Sequence, residues 1–222
     1  PDGPAAKRHA ELRLLQVGSL AEHQGLDNLV RIMPDLPGAE LVIAGGPDPD
    51  ELDSDIAHKR LGKLAAGLGV ADRITFTGHV ASKHLPALIR SADIFVSGAS
   101  YEPYGTAAIS AMACGKPVVA NAVGAYADAV IDGTTGLLLP PGRPDLLLKR
   151  LRELLATPMK LTGFGIAAAD RARSRYSWER IADEAAAAYE RCLTVPSGQP
   201  ARSQTLASAR ASRAAVEQRR AA

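Results

Sequence analysis

The sequence is poor in cysteine: Cys114 and Cys192 are the two in 222 residues, too few for a disulfide framework and without metal-ligand spacing. Charge of one sign is also lacking, since 26 Lys+Arg face 24 Asp+Glu for a net +2. That balance argues against a nucleic-acid binder working through bulk charge. No apolar run approaches the roughly 20 residues of a membrane span, and no signal-peptide pattern opens the sequence. Composition therefore argues against collagen-like, disulfide-scaffold, transmembrane and wholly disordered chains, and a reducing, cytoplasmic setting fits best. What is present is 46% hydrophobic side chains. A domain of this size removes roughly 70% of its unfolded surface from water, so one sizeable core forms without metal or disulfide staples.

The two ends read differently from the middle. Pro1-Asp2-Gly3-Pro4 opens the sequence without a methionine, and such Pro/Gly punctuation suits a linker with a further segment before it. Residues 1–11 are read as that linker. From Pro196 to Ala222 five arginines stand against one acid, Glu217, with no aromatic residue. Residues 194–222 are read as a basic, disordered tail. A solvated tail is its simplest role, and contact with an anionic partner or membrane surface is the alternative.

Between them, short apolar runs alternate with helical patterns. Strands are predicted at Leu12–Val17, Glu40–Ala44, Ile74–Thr77, Ile94–Ser97, Pro117–Ala120 and Gly136–Leu139. Helices are predicted over Leu26–Met33, Ser54–Leu68, Lys83–Arg90 and Thr106–Cys114, with a helical turn at Asp128–Ile131. Pro144–Ala156, a stretch within Gly163–Arg175, and Trp178–Leu193 then close the core. Strand–helix alternation of this kind requires parallel pairing through crossovers, and strands apolar on both parities suit a sheet covered on both faces. The expected fold is one Rossmann-like α/β domain over residues 12–193, a parallel sheet with helices on both faces and a C-terminal helical closure. Ligands of such sheets lie at the carboxyl ends of the strands. There the loops carry Gly18-Ser19, Gly45-Gly46-Pro47, Gly78-His79-Val80, Tyr101-Glu102-Pro103-Tyr104-Gly105 and Val123-Gly124, where backbone amides can approach a phosphate.

Four stretches, in order, carry a resemblance. They are Val17-Gly18-Ser19-Leu20 with Gly25-Leu26-Asp27-Asn28-Leu29, then Ile43-Ala44-Gly45-Gly46-Pro47, then Asp72 to Val80, then Ser91 to Val96 running on through Tyr101–Gly105 to Ala111–Ala120. Asp132-Gly133-Thr134-Thr135-Gly136 and the Tyr176-Ser177-Trp178 corner follow. Together they resemble the C-terminal half of a retaining glycosyltransferase of the GT-B fold, glycosyltransferase family 4. The resemblance runs from Leu12 to Leu193. It implies a domain that holds a nucleotide-diphosphate sugar as substrate, a separate N-terminal acceptor-binding domain as partner, and transfer of a hexose with retention, with neither cofactor nor bound metal.

Carried over residue by residue, the resemblance places Glu102 at the first of two glutamates, the catalytic position that contacts the transferred sugar. Tyr104, Gly105 and Thr106 follow it as the amide-bearing turn into a helix. The second glutamate position, which holds the ribose in the family, is Ser110. The arginine position after Gly18 is Ser19, and the lysine position before Gly25 is Gln24. His79 and Val80 stand where the family places the nucleobase. Three donor-holding side chains are thus neutral here, and each lost charge-assisted bond to a diphosphate costs roughly 1.5–3 kcal/mol. Ser110 has a second reading as a small residue in a tight helix–sheet contact, and Gly105 and Thr106 one as a plain helix start. Lys116 is read as solvent-facing, Cys114 as a small buried hydrophobe, and Asp93 as fixing a loop or capping a turn. Two functional classes follow: a glycosyltransferase donor domain, and a binding or scaffold domain with impaired turnover. A nicotinamide dehydrogenase fits worst, because Gly18-Ser19-Leu20-Ala21 after the first strand is no G-x-G-x-x-G.

Overall fold

The computed structural model describes residues 3–194; the basic tail anticipated beyond them lies outside the described residues. Six strands, β1 (Leu12–Val17), β2 (Ala39–Ala44), β3 (Ile74–Gly78), β4 (Ile94–Ser97), β5 (Val118–Asn121) and β6 (Gly136–Leu139), form one sheet in the order β3-β2-β1-β4-β5-β6. Every pairing is parallel, with Leu14 beside Leu41 and Ile94, and Val119 beside Leu137. Because side chains alternate along a strand, strands such as β1, β2, β4 and β5 feed both faces. Leu14, Leu41, Ile43, Ile94 and Val119 enter one core with α1 (Leu26–Ile32), α2 (Ile56–Gly67) and α6 (Pro144–Leu155). Leu15, Val42, Phe95, Val118 and Ala120 enter the other with α3 (Leu85–Ser91), α4 (Thr106–Ala113), α5 (Gly124–Ala129) and α7 (Pro158–Arg175). The fold is the expected Rossmann-like α/β sheet covered on both faces.

The sequence-based boundaries agree with these elements to within a residue or two, with two corrections. The helical turn expected at Asp128–Ile131 is a helix that begins at Gly124 and ends at Ala129; Gly124 and two of the alanines hide its periodicity. Helix α7 starts at Pro158, ahead of Gly163, because a proline in the first turn suits a helix start. The contacts divide the chain after Ser177. Helix α8 (Trp178–Thr194) is a unit by itself, with an Arg180–Glu184 ion pair of 2.9 Å along its surface.

Residues 3–11, expected as linker, lie along the domain. Arg13 and Glu40, 3% and 4% exposed, pair at 2.7 Å at the amino ends of β1 and β2. The Arg13 guanidinium also donates to Ser91 Oγ and to the Lys7 carbonyl. Asp93 accepts from Arg8 and from the Arg13 amide, so it ties this segment down, in keeping with a loop-fixing role. Ala6 N–H donates to the Ala87 carbonyl, and Arg90 to the Pro4 carbonyl.

Candidate donor site

The strand order places the reversal of winding between β1 and β4, and at such a switch point the loops leaving two adjacent strands diverge and open a crevice. On one side, the loops after β1, β2 and β3 pack backbone against backbone. Gly45, at φ +127°, lies so close to Gly18 that a Cβ on it would come within 2.2 Å of the Gly18 carbonyl oxygen. Gly45 N–H in turn donates to the Gly78 carbonyl. These loops enclose a cavity of about 430 Å³ lined by Val17, Gly18, Ser19, Ala44, Gly45, Gly46, His79, Val80 and Leu85. Four candidates named from the sequence, Gly18, Ser19, His79 and Val80, are therefore brought together. Ser19 and His79 are exposed at its mouth. The His79 amide is already used, donating to the Pro47 carbonyl at 2.8 Å.

Gln24 is 8% exposed and sits behind Gly18. Its Oε1 accepts from Gln16 Nε2 at 3.0 Å, so the residue at the lysine position is engaged with a strand side chain. Gly25 takes a left-handed conformation (φ +64°) that closes the Glu22–Gln24 turn and starts α1.

On the other side of the crevice is the loop after β4. Asn121 donates to the carbonyls of Gly98 and Ala99, both at 2.9 Å, and Ser100 N–H donates to the His23 carbonyl. The Glu102 carbonyl accepts from Ala125 N–H at 2.9 Å. Its carboxylate turns back: Oε1 accepts from the amides of Gly105 (2.9 Å) and Tyr104 (3.2 Å). Two of the amides expected to face a ligand are thus satisfied by Glu102, because amides at a helix start need an acceptor and a carboxylate suits that position. Ser110 Oγ donates to the Thr106 carbonyl one turn back. Ser110 lines a separate cavity between α3 and α4 with Leu85, Ile89 and Cys114, so it is not brought into the first one.

Sequence reasoning singled out neither Gln16 nor Tyr126. Gln16 is wholly buried near the end of β1, and its signal was an amide in an otherwise apolar strand end. Tyr126, also wholly buried, has a hydroxyl without a hydrogen bond of normal geometry. Burial pushes that phenol well above its ordinary range; nearby Ser97 opposes the rise and the Glu102 carboxylate adds to it. Lys116 is half-buried at the opposite edge, in a cavity with Asp93, Asp170 and Arg173, not solvent-facing as expected. Burial lowers its pKa. Cys114 is half-buried, and burial raises its thiol. Among the described residues no group of three or more His, Cys, Asp or Glu is placed to hold a metal, and no helix is long and apolar enough to cross a membrane.

A parallel sheet in this order, with a glycine-lined cavity beside its switch point, defines a Rossmann-like domain, a class of fold that takes its ligands at the carboxyl ends of the strands. The family model for glycosyl transferases group 1 matches residues 4–171, and the chain belongs to that family. It is 40% identical over 177 residues to a D-inositol 3-phosphate glycosyltransferase of Mycobacteroides abscessus, a match covering 80% of this chain and 39% of that protein. Sucrose-phosphate synthase of Thermosynechococcus elongatus superposes with a TM-score of 0.74 at 34% identity, over 82% of this chain and 46% of that one. Anabaena HepE in complex with UDP-glucose superposes with a TM-score of 0.73 at 24% identity, over 81% of this chain and 48% of that one, a likeness of fold. The fold is that of one domain of a GT-B glycosyltransferase, and the chain spans less than half the length of each of these relatives.

Proposed function

We propose that this chain is the donor-binding domain of a glycosyltransferase that moves a hexose from a nucleotide-diphosphate sugar to an acceptor, with retention at the anomeric carbon. The observation that carries this reading is the cavity beside the switch point, which gathers Gly18 and Ser19 from the loop after β1 and His79 and Val80 from the loop after β3. In the proposed reaction the bond from the anomeric carbon to the diphosphate oxygen breaks. A bond to an acceptor oxygen forms on the same face, and the acceptor proton passes to the departing diphosphate. Negative charge grows on that leaving group, so the site has to supply positioned hydrogen-bond donors. Backbone amides at the start of α4 and the side chains of Ser19 and Gln24 are the donors on offer. Engaging the Tyr104 and Gly105 amides requires Glu102 to release them, which also frees its carboxylate to meet the sugar. An N-terminal domain supplies the acceptor site in this reading, and the HepE complex with UDP-glucose lends support to a nucleotide sugar as donor.

A second reading is favoured by three bonds: Gln24 to Gln16, Glu102 to its own turn, and Ser110 to Thr106. With these side chains engaged internally, the domain would bind sugar nucleotides weakly and turn them over poorly or not at all, serving as a scaffold.

Calorimetry of the chain against UDP-, GDP- and ADP-sugars separates the two. Saturable binding that falls at least about tenfold in Glu102→Ala, the loss of a charge-assisted contact, supports the donor domain. A folded chain that binds none of the three supports the scaffold.

A further inference from the structure

Among the described residues, three buried side-chain atoms lack a hydrogen-bond partner: Gln16 Oε1, His58 Nδ1 and the Tyr126 hydroxyl. Two of them lie under the loops of the proposed donor site. Gln16 is the less expected. It faces the same side of β1 as Leu14, which is in the core, and it leaves a carbonyl oxygen unsatisfied where an apolar residue would leave nothing unpaired. Buried orphan groups of this kind call for an explanation in function.

Resting on the donor-domain reading, we propose that Gln16 is a positioning residue: it holds Gln24 so that the Gln24 amide N–H groups face the diphosphate of the donor. Gln16 Nε2 donates to Gln24 Oε1 at 3.0 Å. That oxygen lies 3.0 Å from where a Cβ on Gly18 would stand, and Gly18 lines the cavity. The Gln24 Nε2 atom donates to no group among the described residues. A primary amide whose oxygen is held has its two N–H donors left for another acceptor. The reverse arrangement, with Gln16 Oε1 accepting from Gln24, would turn the Gln24 oxygen toward an anion and set acceptor against acceptor. A buried amide pair thus replaces a single cation as the means of presenting N–H groups at this corner. It keeps directional hydrogen bonding and gives up charge, so binding of the diphosphate depends less on ionic strength than it would with lysine.

The test titrates the 222-residue chain with UDP-glucose, GDP-mannose and ADP-glucose, and follows the matching phosphate-free nucleoside of the best donor by NMR. Gln16→Met keeps the side-chain length and removes the amide. The expected result is a roughly three- to tenfold loss of affinity for the nucleotide sugar, with nucleoside binding unchanged. The loss should shrink when Gln16→Met is combined with Gln24→Lys, whose ammonium needs no orienting partner. Wild-type affinity in Gln16→Met, or in Gln16→Leu if the methionine variant does not fold, overturns the positioning role and leaves the donor site standing. Equal losses for nucleotide sugar and nucleoside overturn it as well, since they report a general disturbance of the cavity. If the unsubstituted chain binds none of the three donors, the donor-domain reading fails first and the role of Gln16 with it.

Discussion

Gly25 and Gly98 meet backbone to backbone across the switch point. A Cβ on Gly25 would lie 2.0 Å from the Gly98 carbonyl oxygen, and one on Gly98 would lie 2.6 Å from the Gly25 carbonyl oxygen. This contact joins the turn that carries Gln24 to the loop that carries Glu102, so both walls of the crevice rest on a pair of residues without side chains.

Gly25→Ala should therefore be costly. It adds left-handed strain at φ +64° to a collision with backbone, mechanisms that place a substitution among the larger destabilisations, above about 2 kcal/mol. Urea unfolding measures it. A loss under about 0.5 kcal/mol, the range of ordinary surface changes, would mean that the two loops separate easily.

Tyr126→Phe removes a buried hydroxyl that has no hydrogen bond of normal geometry. Thermal stability should stay the same or rise, by up to about 1 kcal/mol, because an unsatisfied polar group leaves the core. If the hydroxyl steadies the Glu102 carboxylate, nucleotide-sugar affinity falls in the same variant. A clear drop in melting temperature would show instead that the hydroxyl is satisfied in solution.

The Arg13–Glu40 pair sets an acid limit on stability. Burial raises the Glu40 pKa, but the bond from Arg13, the His9 amide and the Arg13 charge outweigh it and hold the carboxyl below its ordinary 4.5. The pair's contribution is then complete above pH 4.5 and is lost as pH falls through the lower folded-state value. Glu40→Gln should flatten the pH dependence of stability on that acid flank. Glu40→Ala should cost about 3–5 kcal/mol at neutral pH, since it strands a buried guanidinium. Unfolding curves at a series of pH values check both.

The two thiols should react unequally. Cys192 is exposed and Cys114 half-buried, and burial raises the Cys114 pKa, so less of it is thiolate at pH 8. With Ellman's reagent one thiol should react fast and the second slowly, and Cys192→Ser should abolish the fast phase.

Strand positions were legible because the apolar runs are short and bounded: LRLLQV begins and ends where β1 does, and GLLL where β6 does. Helix α5 was misplaced, since Gly124 and Ala125 carry no hydrophobic period and its buried residues are only Tyr126 and the small Ala129. The residues lining the cavity could be named one loop at a time. That Ser110 faces a different cavity, and that Glu102 closes on its own turn, depends on side-chain direction, which motif spacing does not encode. Gln16 escaped notice for a related reason. A covered sheet already implied that its amide is buried, but that the amide meets Gln24 depends on how the turn after β1 folds back.

The buried anchor at Arg13 also bears on how this domain can be joined to others. Its guanidinium reaches back to the Lys7 carbonyl, and Arg90 to Pro4, so the residues leading into β1 belong to the folded unit in all but secondary structure. A chimera spliced at Leu12, where the first strand begins, would leave the Arg13 and Asp93 donors and acceptors facing foreign backbone. A junction placed before Gly3 carries the anchor along intact, so any fusion made there leaves the amino ends of β1 and β2 as they are here.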